Sequence, residues 1–488
     1  MLDPAFRKYL QDASQLTGEA ERILFPAGEA EIAQILREAN QTRVPVTVSG
    51  GGTGLTGARV PHGGTLLCTD KLNKILNISW DSSKEKGFAL VQPGVSLKAL
   101  EEALEPLGFF YPPNPGEKAA FIGGTVATNA SGSRSFKYGP TRSHVRRIRV
   151  VLPTGDLLEC RRGQVKESGG FLEATPAHGK SIRILIPTYS MPRVKNAAGY
   201  YAAPGMDLMD LFVGSEGTLG VFSEVELEVL KKPAFLFSGI LFFPSEKSCF
   251  HFAMEAKRLD PRVLEFFDSR SLAFLSSKHL RIPSKAGAGL FFEKEAAAGD
   301  ASGIKQEWLF QAKRFDLLAE DPWVSDNPKD QQAFRDFRYD LPVLVNQQVS
   351  ANRFHKIGTD MAVPDEGAEP MLDFYLEQLK RSGMDYCLFG HIGNNHLHAN
   401  LLPKNQEQFD RAKAIYEILA RKAIALGGTV AAEHGIGKLR IPYLKLMVGE
   451  TGLQEMAQVK RALDPSGILN PGTLIPQEML GTSLRGGL

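Results

Sequence analysis

Cysteine is scarce in this chain. Cys68, Cys160, Cys249 and Cys387 are its only four in 488 residues, and no two share a CxxC spacing. That excludes a disulfide framework and a zinc knuckle, and it fits a reducing compartment. Long apolar runs are missing as well: the longest, Ala234 to Pro244, is too short to cross a bilayer. The opening residues, Met-Leu-Asp-Pro-Ala-Phe-Arg-Lys, lack the apolar core of a secretory signal. We therefore expect a cytoplasmic protein without a transmembrane segment, at most peripheral to the inner membrane. A surplus of one charge is also lacking. The net charge of +2 leaves no basis for a dominant nucleic-acid or membrane role. No Gly-Lys-Ser/Thr follows a glycine-rich loop, so a Walker phosphate site is excluded. No internal repeat or low-complexity segment is present.

What the chain has is glycine, concentrated where it matters. Ser49 to Gly57 reads SGGGTGLTG, with five glycines in nine residues, just after the run Val44-Pro-Val-Thr-Val48. Glycine lets a backbone adopt positive φ and approach a ligand closely. Successive N–H groups in such a loop form an anion-binding concavity. The loop is expected to hold a diphosphate; a plain glycine-rich turn is the alternative. Gly52-Thr-Gly54-Leu-Thr-Gly57 matches the dinucleotide pattern GxGxxG, but that mechanism needs a helix starting inside the motif. Here Pro61, Gly63 and Gly64 follow instead, which places the loop between strands.

The length suggests two or more domains. Glu29 to Gln41 reads as a helix with Ile32, Ile35, Leu36 and Ala39 on one face, and Leu66 to Thr69 as a strand. Leu97, Leu100, Leu104 and Leu107 mark a second helix, closed by Gly108. A second small-residue segment runs from Phe121 through Gly124 and Asn129 to Gly132. A third, Leu211 to Gly220, leads into Val221 to Leu230, where Val225, Leu227 and Val229 alternate with glutamates as in a half-buried antiparallel strand. Lys195-Asn-Ala-Ala-Gly-Tyr200 is another small-residue turn, and the Arg142 to Arg149 cluster reads as a solvated face rather than a ligand site.

These segments in this order, SGGGTGLTG, FIGGTVATNASG, KNAAGY and GSEGTLGV, resemble the FAD domain of the vanillyl-alcohol oxidase / p-cresol methylhydroxylase family. The resemblance implies that Gly50, Gly51, Gly52, Thr53, Gly54, Leu55 and Thr56 hold the FAD diphosphate. It places Gly124, Asn129, Gly132, Glu216, Gly217 and Val221 along the cofactor. Some members attach flavin to a histidine in the glycine loop; Thr53 stands there, so FAD is expected to be non-covalent. From about Lys231 apolar strand-like runs alternate with helical stretches, the pattern of a second α+β domain.

The chemistry clusters late. His391-Ile-Gly-Asn-Asn-His-Leu-His-Ala-Asn400 holds three of the ten histidines in eight residues. With Leu397 in a strand, His396 and His398 share a face, and a turn at residues 393–395 brings His391 back toward them. Glu433 and His434 sit side by side in a glycine-bounded loop. Two histidines and a carboxylate suit a divalent cation such as zinc; structural histidines are the alternative.

HIGNNHLH, AAEHGIGKLR and RALDPSGILNPG are similar to three segments of FAD-linked 2-hydroxyacid dehydrogenases, the last of which, with Asn470, returns to the flavin. These dehydrogenases act on D-lactate, D-2-hydroxyglutarate or glycolate. The resemblance implies His391, His398 and Glu433 as metal ligands and His434 as catalytic base. It implies Arg338, before Pro342, and Lys356 as anchors for the substrate carboxylate. One departure stands out: Asn394-Asn395-His396 replace the more usual Asp-Gly-Asn, which bears on the metal's identity.

The expected fold is α+β. A two-part FAD-binding domain of p-cresol methylhydroxylase type covers residues 1–232, and a substrate domain with an antiparallel sheet covers 233–415. Residues 416–488 form a C-terminal segment returning to the flavin. The expected activity is oxidation of a D-2-hydroxy acid, D-lactate first, to the 2-oxo acid by hydride transfer to flavin N5. Electrons would leave to a quinone, a cytochrome or an electron-transfer flavoprotein, from a homodimer. The alternatives are a flavin oxidase using oxygen, a non-catalytic FAD-binding subunit of a glycolate-oxidase-like complex, and a zinc hydrolase whose glycine loops are structural.

Overall fold

The glycine loop is strung between two parallel strands, Val46–Ser49 and Thr65–Cys68, paired from Val46↔Thr65 to Ser49↔Cys68. This computed structural model describes residues 4–83, 86–297, 299–318 and 322–484. The first three residues of the polar N-terminal stretch lie outside them. Arg22–Leu24 completes the three-stranded parallel sheet, and the helix Glu29–Thr42 covers it with Ile32, Leu36 and Ala39 fully buried. That helix begins with Glu29 and Glu31 in its first turn, where the helix dipole favours acids. It ends at Arg43 in the left-handed region, so the next strand starts only at Val46.

A second, antiparallel sheet has the order Ile75–Asp81, Lys86–Val91, Val221–Lys231, Val145–Val151, Leu157–Arg161. The expected alternation in Val221–Lys231 holds: Val225, Leu227 and Val229 are fully buried. On the other face the arginine cluster is committed to ion pairs with this sheet and with the first helix. Arg147 pairs with Glu224 at 2.9 Å, Arg146 with Glu228 at 2.7 Å, and Arg149 with Glu29 at 2.8 Å.

Two local readings need adjusting. The helix Leu97–Leu104 tightens into a 3-10 turn over Glu105–Leu107 before Gly108. Three residues per turn carry Leu107 off the apolar stripe, and it is 53% exposed. The Phe121 to Gly132 segment holds a short helix, Ile122–Ala127, despite its glycines. Gly123 is required there by packing, because a Cβ would come within 2.6 Å of Pro93.

The C-terminal half is built on an eight-stranded sheet that includes Phe235–Phe243, Ala288–Ala296, Pro261–Asp268, Asp385–His391 and His396–Leu402 in that spatial order. Its described pairings are antiparallel. The long helix Pro328–Asn352 packs on it through Phe334, Phe337, Leu341 and Val345, all fully buried, at a helical spacing. After the helix Ile441–Leu463, the chain runs back to the first sheet. Val46 N–H donates to Ile468 O and Asn470 N–H to Val46 O, both at 2.8 Å. Among the described residues, no helix is long and apolar enough to cross a membrane.

Candidate functional site

A cavity of about 420 Å³ runs between the two halves of the chain. The glycine loop walls one end; Arg338, His391, His398, Glu433 and His434 wall the other. Gly50 through Thr56, Gly124, Gly132, Glu216, Gly217 and Asn470 all line it. Two expected cofactor residues do not. Val221 points to the opposite side of its strand from its lining neighbours Gly220 and Phe222. Asn129 spends its amide inside the protein, donating to Asn196 O at 3.1 Å and accepting from Arg142 N–H at 2.9 Å.

The loop end fits a dinucleotide. Among the described residues, no backbone N–H from Gly51 to Thr56 donates to a protein acceptor. Such a run of free donors is an anion cradle. Arg59, absent from the sequence reading, donates to Gly50 O at 2.7 Å and sets a positive charge beside the cradle. Gly124 shows what the cavity is for: a Cβ there would meet no protein atom within 4 Å. Its missing side chain leaves room for something other than protein.

At the other end, Asp385–His391 and His396–Leu402 form a hairpin through the turn Ile392–Asn394, which sets His391 opposite His396. His391, His396, His398 and Glu433 each offer a donor atom, all within 4.8 Å of one another. The outer nitrogen of each imidazole faces a buried acceptor. His391 Nδ1 is bonded to Glu265 Oε1, His396 Nε2 lies 3.1 Å from Asp360 Oδ1, and His398 Nδ1 lies 3.0 Å from Thr359 O. That leaves His391 Nε2, His396 Nδ1 and His398 Nε2 facing Glu433, at 3.1, 3.9 and 3.9 Å. Outer-shell acceptors of this kind orient metal-bound histidines. Burial pushes the Glu433 carboxyl up, but His391 and Lys195 beside it hold it well below the usual range. Burial, with His396 adjacent, keeps the His398 imidazole well below its ordinary value and so neutral, the form that ligates. The donor set and its supporting shell fit a divalent cation.

Three residues of this shell were not legible as site residues. Glu265 stands in the wholly buried strand Pro261–Asp268, and a carboxylate in so apolar a run was the available signal. Asp360 gave none, and Lys195 opened the turn KNAAGY, which pointed to the flavin domain and not to this cluster. Lys195 Nζ donates to Glu433 Oε1 at 2.6 Å with its side chain only 3% exposed.

His434 is held at the cavity wall from two sides. Asp360 accepts its backbone N–H at 2.9 Å, and Glu216 accepts Ile436 and Gly437 N–H, each at 2.8 Å. Gly435, at φ 76°, must be glycine, since a Cβ would lie 2.7 Å from Glu216 Oε1. Asn470 locks the same corner, accepting Val48 N–H at 2.7 Å and donating to Glu216 O at 2.9 Å. Arg338 projects from the long helix into the cavity beside Glu265, its Nε 3.4 Å from Oε2. Lys356 is not brought into this group. Its Nζ donates to Asn346 at 3.2 Å, and it does not line the cavity.

The family profile "FAD binding domain" matches residues 20–161, and "FAD linked oxidases, C-terminal domain" matches residues 232–474. The chain is 30% identical over 488 residues to a D-lactate dehydrogenase of Anaerostipes hadrus, covering 96% of this chain and 92% of that one. It is 29% identical over 481 residues to the glycolate oxidase subunit GlcD of Bacillus subtilis, with the same coverages of 96% and 92%. It is 30% identical over 477 residues to a D-2-hydroxyglutarate dehydrogenase of Xanthomonas citri, covering 95% and 91%. In structure it resembles an alkyldihydroxyacetonephosphate synthase, with a TM-score of 0.64 at 19% identity, covering 92% of this chain and 76% of that one, a likeness of fold. The chain belongs to the FAD-linked 2-hydroxyacid dehydrogenases, FAD-dependent oxidoreductases with a flavin domain of p-cresol methylhydroxylase type.

Proposed function

We propose that this protein is a dehydrogenase that oxidises a D-2-hydroxy acid, D-lactate first, to the 2-oxo acid, with hydride transfer to N5 of a non-covalent FAD. The observation that carries the reading is a single cavity with a diphosphate cradle at one end and Arg338, His434 and a His/Glu donor cluster at the other. When bound, the flavin supplies the two-electron sink, and a divalent cation held by His391, His398 and Glu433 supplies a Lewis acid for the substrate oxygens. Arg338 pairs with the substrate carboxylate, for which a guanidinium is the preferred partner. His434 accepts the hydroxyl proton. Asp360 lies 3.2 Å from His434 Nδ1 on one side of the ring, which leaves the other nitrogen as the one offered to substrate. The apolar wall formed by Phe222, Pro342 and Phe389 keeps water from the reacting carbon.

Anaerobic mixing of the holoprotein with a panel of D- and L-2-hydroxy acids tests this. D-Lactate should bleach the flavin and its L isomer should not. A flavin that no 2-hydroxy acid bleaches would favour a non-catalytic FAD-binding subunit. Rapid oxygen consumption during turnover would move the electrons from a quinone, cytochrome or flavoprotein acceptor to oxygen.

A further inference from the structure

We propose that His396 is a fourth protein ligand, making the metal centre of this chain a site of three histidines and one carboxylate, closed from behind. The inference rests on the metal-assisted reading above and deepens it.

His396 does not behave as a satisfied core histidine. Its side chain is fully buried, yet neither ring nitrogen has a hydrogen-bond partner. A buried polar atom left in that state costs free energy. Its nearest acidic neighbour, Glu433 Oε1, is 3.9 Å away, too far for a hydrogen bond. His398 Nε2 has the same 3.9 Å separation from Glu433 Oε2. Two donors each about 2.0–2.2 Å from one ion lie about 3–4 Å apart, so this spacing is compatible with shared coordination. Glu265 anchors His391 and the Thr359 carbonyl anchors His398 by hydrogen bonds, while Asp360 Oδ1 lies 3.1 Å from His396 Nε2 as a charge contact without hydrogen-bond alignment. In all three rings the other nitrogen is the one turned toward Glu433. The His396 and His398 rings are also neighbours, with centroids 4.3 Å apart.

The placement has a chemical consequence. His391, His398 and Glu433 line the cavity and His396 does not. The fourth donor thus comes from behind, and the substrate side stays open. Four protein donors complete a tetrahedral shell by themselves, so substrate oxygens raise the coordination number to five or six. That favours cations that accept such numbers, with retention in the absence of substrate.

The test uses X-ray absorption on the zinc-loaded, FAD-replete wild-type protein, together with zinc affinity in His396→Gln measured against a competing chelator. The glutamine keeps an amide to face Asp360. Three imidazoles on zinc, a dissociation constant raised at least about tenfold in the variant, and unchanged FAD content in the variant would support the proposal. Two imidazoles, or equal affinity, would overturn it and leave His396 a structural residue. If the variant does not fold, the imidazole count in the wild type decides alone. A wild-type protein that takes up no divalent metal would overturn this proposal and the metal-assisted reading together, leaving Lys195 as the cation on Glu433.

Discussion

Asp360 holds His434 through its backbone: Oδ2 accepts the His434 N–H at 2.9 Å, and the same oxygen lies 3.2 Å from ring Nδ1 as a charge contact without hydrogen-bond alignment. The same oxygen is 2.6 Å from Arg440, which keeps the carboxylate ionised in a site without solvent. Burial would push Asp360 up, but His434 and Arg440 hold it well below the usual carboxylate range. His434 is thereby a base of fixed position. His434→Asn should slow flavin reduction about 100- to 10,000-fold, the span of general-base catalysis. FAD and metal contents should stay at wild-type values. Stopped-flow absorbance at the flavin band checks the rate, and normal reduction in a variant holding both cofactors would remove His434 as the base.

Arg338→Lys keeps the charge but loses the forked pair of donors. It should lower kcat/KM for the 2-hydroxy acid about 10- to 100-fold, equivalent to the roughly 1.5–3 kcal/mol of a hydrogen bond to a charged group. Steady-state kinetics decide this, and an unchanged kcat/KM would place the carboxylate elsewhere.

Gly124→Ala places a methyl group in the cavity where an added Cβ meets no protein atom within 4 Å. The variant should fold and lose FAD. Absorbance at 450 nm per mole of protein reports occupancy, and wild-type occupancy would mean that the cofactor lies away from this wall. In the wild-type protein, acid precipitation should leave the flavin in the supernatant, because Thr53 stands where a histidine would be needed for covalent attachment; flavin in the pellet would contradict this.

How much of this was readable beforehand depended on whether chain order or chain folding carried the signal. The hairpin bearing His391, His396 and His398 was legible, because strand alternation and a three-residue turn are local rules. The strand Phe235–Phe243 was legible from one apolar run. Glu265, Asp360 and Lys195 were not. They reach Glu433 and the histidines from separate segments, and the turn that Lys195 opens was read only as a mark of the flavin domain. Lys356 was placed by likeness alone, and its strand edge carries it toward Asn346 instead. Leu107 failed because the helix narrows to 3-10 geometry in its last turn, which periodicity does not report.

His144 gives the fold a pH signature independent of the site. Burial pushes its imidazole down to about 4, and Nε2 lies 2.9 Å from Tyr138 O. A histidine whose folded pKa is depressed contributes stability that is present above its unfolded value of about 6.5 and lost as pH falls toward the folded value. The loss should reach on the order of 3 kcal/mol. His144→Gln should flatten the fall in Tm between pH 6.5 and 4 relative to wild type. Parallel Tm curves for the two proteins would show that His144 does not set acid sensitivity.

In the proposed reaction the α-hydrogen of a D-2-hydroxy acid leaves as hydride for the flavin of this cavity. Single-turnover anaerobic reduction with D-lactate carrying deuterium at C2 measures that step. Bleaching should be slower with the deuterated acid than with the protio acid, with one pyruvate formed per flavin reduced. A flavin that stays oxidised while the acid is consumed, or reduction with no isotope effect under conditions where chemistry limits the rate, would contradict it.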